Sequence, residues 1–192
     1  LLDDERCCSI AMVSNGLIKA ATKNARHNVS IMEKTVEKTG APIVGASSTC
    51  IMTMRDEYPH LLGIDNSRVR DSLDLATKFI FKKISEGKKL NFRKDFHARI
   101  AYHTPCHLER LGWEYFSIEL LKMIPGVELT VLESNCCGIA GTYGFKKENY
   151  EVSQAIGRPL FEQIAAVGPD FVACDCETCK WQIEMSTGVS VK

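Results

Sequence analysis

Two spacings of apolar residues run along this chain. Short apolar runs of strand type recur at residues 42–46, 100–102, 128–132 and 171–174. Between them, apolar positions return at helical intervals. Leu111, Tyr115, Ile118, Leu120 and Leu121 predict a helix over 108–123, closed by Pro125-Gly126. Val69, Leu73, Ala76, Ile80 and Ile84 predict another over 67–85. Further helices are expected over 15–39, 48–57 and 147–166. The last should be irregular at Gly157-Arg158-Pro159, because proline lacks a backbone donor. Alternation of short strands with helices predicts an α/β fold with largely parallel sheets.

The cysteines add a repeat to this pattern. Cys136-Cys137-Gly138 is followed by the 37 residues 139–175 and then by Cys176-x-x-Cys179. Cys7-Cys8-Ser9 is followed by the 37 residues 10–46 and then by Ser47-x-x-Cys50. One offset of 129 carries 7 to 136, 8 to 137, 47 to 176 and 50 to 179. The chain is therefore expected to form two small parallel-sheet lobes related by an internal pseudo-twofold. Residues 1–87 form a degenerate first repeat and 88–192 a complete second one, with Gly87-Lys88-Lys89 as the linker. The second repeat has Cys106 ahead of its double cysteine. The matching part of the first would precede Leu1, so a C-terminal piece of a longer polypeptide is expected.

Composition narrows the function classes. Lys plus Arg and Asp plus Glu number 24 each, giving no net charge and no sign of a nucleic-acid partner. No apolar run approaches the roughly 20 residues that span a bilayer. The opening Leu1-Leu2-Asp3-Asp4-Glu5 is acidic where a signal peptide would be basic, so a cytoplasmic location is expected. Any membrane role would be peripheral, through a partner. Nine cysteines, an odd number without an export signal, point away from a disulfide framework.

Cys106, Cys136, Cys137, Cys176 and Cys179 each fall just after an expected strand. In an open parallel sheet such turns gather at the carboxyl edge. Soft thiolates there favour zinc, copper(I) or iron–sulfur. Four thiolates satisfy zinc; five, two of them adjacent, suit a larger cluster better. Zinc, thiol–disulfide exchange at Cys176 and Cys179, and buried unliganded cysteines stay open as alternatives. Cys174, inside a strand, reads as a small core residue. His103 and His107 flank Cys106 and, with Gly138, read as groups supporting the metal ligands. Cys7, Cys8 and Cys50 read as a weak or vestigial second site. No Ser-His-Asp set, acid pair or phosphate loop marks the chain as a catalyst by itself.

The pattern Cys106…Cys136-Cys137-Gly138…Cys176-x-x-Cys179 resembles the cysteine-rich CCG domain. That domain occurs, usually twice, in the heterodisulfide reductase B subunits and in lactate-utilisation and glycolate oxidase iron–sulfur subunits. The segments 102–110, 133–144 and 176–185 are closer still to the subfamily of anaerobic glycerol-3-phosphate dehydrogenase C subunits. The resemblance implies an electron-transfer subunit. It implies an iron–sulfur cluster, 4Fe-4S or noncubane, held by Cys106, Cys136, Cys137, Cys176 and Cys179. It also implies flavoprotein dehydrogenase partners and delivery of electrons to membrane quinone through the complex. The ferredoxin-like region that relatives carry upstream is not in this sequence.

Overall fold

The computed structural model describes residues 2–192; Leu1, the first residue of the expected first repeat, lies outside them. The chain divides into two units, one running through Ala76 and the other Thr77–Lys192. In the first unit, α1 (Ile10–Val13) leads into the long helix α2 (Ile18–Thr39), then β1 (Ile43–Gly45) and α3 (Ser48–Met52). A π-type turn at Thr53–Glu57 carries the chain into α4 (Tyr58–Leu62), and β2 (Leu73–Leu75) follows. Helix α2 buries Ala21, Ala25, Val29 and Met32, spaced to form one face. Strands β1 and β2 pair in parallel, Ile43 opposite Leu73.

The expected helix over 67–85 is corrected here. Its second half, α5 (Ala76–Ser85), is α-helical, and helical structure in the first half is limited to a 3-10 turn at Arg70–Ser72. Leu73-Asp74-Leu75 is a fully buried strand. Three residues are too few to display the alternation of a strand, while Leu73 happens to match the helical spacing downstream. The division between the units falls at the start of α5, ahead of Gly87-Lys88-Lys89. Phe81 of α5 stacks edge-on with Tyr115, centroids 5.7 Å apart, and Thr77 Oγ1 accepts a 2.8 Å hydrogen bond from Ser117.

The second unit continues with β3 (Ala98–His103), α6 (Cys106–Leu111), α7 (Glu114–Lys122) and β4 (Val127–Val131). It ends with α8 (Tyr150–Val167), β5 (Phe171–Cys174) and α9 (Glu177–Thr187). The single helix expected over 108–123 is two helices, because Gly112 takes φ 67° and breaks the first. Helix α8 carries Pro159 in its interior and runs on through it, as a helix expected over 147–166 requires. The strand order is β4-β3-β5, all parallel. Ala101, Leu160, Ile164, Val172 and Ile183 form the core, and Cys137, Cys176 and Cys179 belong to the same buried cluster. The architecture is α/β with one two-stranded and one three-stranded parallel sheet among the described residues.

Candidate metal centre

Parallel pairing puts the carboxyl ends of β3, β4 and β5 on one edge, and the cysteines follow those ends. Cys106 opens α6 after β3. Cys136 and Cys137 lie in the loop after β4. Cys176 caps α9 with extended dihedrals (φ −145°, ψ 120°), and Cys179 lies in its first turn. Cys137, Cys176 and Cys179 are buried, while Cys106 and Cys136 are exposed. The set therefore runs from the core to the solvent.

The five thiols expected from sequence come together. Cys136 contacts Cys106 and Cys137. Cys137 Sγ lies 3.1 Å from Cys179 Sγ. Cys179 in turn contacts Cys174 and Cys176. The Gly138 N–H donates to Cys136 Sγ over 3.3 Å. Donation from Cys106, then from Cys137 and Gly138, holds the Cys136 thiol down at about 2. Its neighbours move the other way. Contact with Cys136 pushes Cys137 up to about 12 and Cys106 well above the usual thiol range. Contact with Cys137 does the same to Cys179. The contacts thus favour negative charge at Cys136 and a proton at Cys106, Cys137 and Cys179, and a metal bound by those thiols would displace their protons.

Gly138 is required by shape. It takes φ +89°, and a Cβ there would stand 2.0 Å from the Ser153 carbonyl oxygen. Ser153 Oγ donates to the Gly138 carbonyl (2.9 Å) and accepts from Gln182 Nε2 (2.9 Å), so helices α8 and α9 both anchor the loop. His103 is buried, and burial holds its imidazole down at about 4, in the neutral form that binds metals. His107 is half-buried at the start of α6. Beneath the edge, Tyr102 Oη donates to Asp175 Oδ2 over 2.6 Å, and burial raises both groups above their ordinary ranges.

Cys174, expected to be a plain core residue, is half-buried with its sulfur against Cys179. The tight turn from β5 into α9 brings the two sulfurs together, five residues apart in the sequence.

The first unit repeats the local geometry with fewer donors. Ser9 N–H donates to Cys7 Sγ (3.4 Å), as Gly138 N–H does to Cys136. Cys8 Sγ lies 3.2 Å from Cys50 Sγ, matching Cys137 and Cys179. Ser47 precedes α3 in extended backbone (φ −108°, ψ 120°), as Cys176 precedes α9. Contact with Cys8 lowers the Cys7 thiol to about 5, and contact with Cys50 raises Cys8. Asn28 clamps this loop, exchanging hydrogen bonds with the Arg6 backbone (2.8 and 2.9 Å) and donating to Tyr58 Oη (3.1 Å).

Two strand-to-helix cysteine sites, one complete and one depleted, define a class of cysteine-rich domain built in tandem. The chain belongs to the CCG cysteine-rich domain family, whose model matches residues 1–55 and 100–184. It is 53% identical over 189 residues to the C subunit of anaerobic glycerol-3-phosphate dehydrogenase from Escherichia coli, covering 98% of this chain and 48% of that protein. It is 30% identical to lactate utilization protein A of a Geobacillus species, covering 90% of this chain and 72% of that one. It is 27% identical to the B subunit of fumarate reductase (CoM/CoB) from Methanothermobacter marburgensis, over 96% of this chain and 35% of that one. The chain spans about half the length of its Escherichia coli relative. The resemblance read from the cysteine motifs is thereby shown. Family membership and the gathered sulfurs support an iron–sulfur cofactor over zinc.

Proposed function

We propose that this chain is the tandem cysteine-rich part of an iron–sulfur electron-transfer subunit. Its donor partner is a flavoprotein dehydrogenase that oxidises glycerol 3-phosphate, and its electrons go towards membrane quinone through the complex. The observation that carries the reading is the convergence of Cys106, Cys136, Cys137, Cys176 and Cys179 at one sheet edge. Those five thiols are the proposed ligands. When bound, the cluster supplies one-electron storage and release. The protein's own groups do the rest. Gly138 lends a backbone N–H to Cys136 and brings the loop against α8. His107 stands beside Cys106 as a supporting group. Burial of Cys137, Cys176 and Cys179 keeps water from the inner face, while exposed Cys106 and Cys136 face a redox partner.

No helix of the described residues is long and apolar enough to cross a membrane. Contact with the membrane is therefore proposed to be peripheral, on its cytoplasmic face and through the partner subunits. Cys7, Cys8 and Cys50 are proposed as a structural remnant that binds metal weakly, because Ser47 stands where the complete site has Cys176.

Anaerobic purification and reconstitution with iron and sulfide, followed by metal analysis and absorbance, tests the reading. A brown protein with matching iron and sulfide is expected. A colourless protein that holds stoichiometric zinc after that treatment contradicts it.

A further inference from the structure

The register of the second sheet sets His103 of β3 directly beside Cys174 of β5. In-register neighbours on adjacent strands present their side chains to the same face. Both residues close their strands at the edge where the thiols gather. One imidazole nitrogen, Cys174 Sγ and Cys179 Sγ all lie within 4.8 Å of one another. His103 is 1% exposed, yet neither ring nitrogen has a hydrogen-bond partner. Buried polar atoms are almost always bonded, and a bare one carries its full desolvation cost. An unpartnered imidazole aimed at two thiols is an arrangement that a metal ion completes.

We propose that His103, Cys174 and Cys179 form a mixed nitrogen–sulfur corner of the metal centre. There an imidazole nitrogen and two thiolates would hold one first-row metal, in the cluster an iron whose remaining bonds go to sulfide. This adds His103 and Cys174 to the five-thiol set. The proposal takes the identity of its metal from the iron–sulfur reading, whereas its geometry stands without it. Metal–sulfur and metal–nitrogen bonds of about 2.3 and 2.0 Å leave tetrahedral donors about 3.5–3.8 Å apart, so small side-chain movements close the corner. Neutral imidazole and thiolate both suit such ions. The depleted lobe has no counterpart: the offset that carries 47 to 176 also carries 45 to 174, and position 45 is Gly45.

The test uses the whole chain, reconstituted anaerobically with iron and sulfide, with and without ¹⁵N-labelled histidine. Pulsed electron paramagnetic resonance should show a nitrogen coupling of ligand strength that changes with the label. It should vanish in His103→Gln and persist in His107→Gln. Cys174→Ser should lose iron to a chelator about tenfold faster than the unaltered chain. Loaded protein without histidine coupling, or Cys174→Ser retaining iron equally well, overturns the corner while leaving the cluster reading intact. A second arm adds one equivalent of cobalt(II) to the metal-free chain and reads paramagnetically shifted imidazole protons. Cobalt-shifted His103 signals in a chain that refuses iron would sink the iron–sulfur reading and keep the corner. No histidine signal with either metal overturns the corner. If circular dichroism shows His103→Gln unfolded, the isotope label on the unaltered chain decides.

Discussion

The two cysteine sites of this chain share a backbone and differ in donors. Both start with adjacent cysteines, bend at a positive φ (75° at Ser9, 89° at Gly138), and return through an extended residue that opens a helix. Both bring the second cysteine of the pair within 3.2 Å of a thiol 42 residues on. The loops are nevertheless held by different means. In the first unit the Asn28 side chain supplies hydrogen bonds that pin residues 6 and 7. In the second, the backbones of Gly138 and α8 approach so closely that no side chain fits between them. The fold of the turn thus survives loss of ligands, while tight glycine packing accompanies the complete set.

That contrast can be broken at its glycine. Gly138→Ala puts a Cβ against the Ser153 carbonyl in a left-handed backbone, and about 3 kcal/mol of stability should be lost. Urea unfolding of the metal-free chain measures it, and a loss below about 1 kcal/mol would mean that the close approach is dispensable.

The difference in donors can be sharpened by restoring one. Ser47→Cys gives the first unit a fourth thiol on the same extended backbone as Cys176. In a chain carrying Cys137→Ser and Cys179→Ser, it should raise cobalt(II) affinity by about tenfold, near 1.4 kcal/mol, read from thiolate-to-cobalt absorbance. An unchanged affinity would show that the first lobe is incompatible with metal for reasons beyond its missing thiol.

The smallest effect is expected at Ser9. Ser9→Gly relieves a positive φ but gives up the 3.1 Å hydrogen bond from Ser9 Oγ to the Cys7 carbonyl. The two terms nearly cancel, so stability should shift by less than about 1 kcal/mol. A larger loss in urea unfolding would assign the turn to the serine hydroxyl.

Much of this comparison was legible in the sequence. The offset of 129 relates residues whose backbones adopt the same geometry, because strand–turn–helix units carry their cysteines at fixed points. Residues 171–174 read as a strand and are one, since Phe171-Val172-Ala173-Cys174 is a continuous apolar run. What stayed hidden depends on contacts between segments. Leu73-Asp74-Leu75 is a strand only because β1 lies beside it. His103 faces Cys174 only through the register of β3 with β5. A search for ligands by spacing along one segment passes over both. Gly112 was visible, yet the apolar face continues across it, and its φ of 67° decides the break.

Under the proposed function the two units are asymmetric: the second holds the cluster and the first does not. Iron and sulfide per chain after anaerobic reconstitution, measured side by side for Cys137→Ser and Cys8→Ser, put it to the test. These residues occupy matched positions, and both are buried. Cys8→Ser should keep the iron and sulfide of the unaltered chain, while Cys137→Ser should lose nearly all of both. Equal retention, or equal loss from the two variants when both remain folded, would contradict the asymmetry.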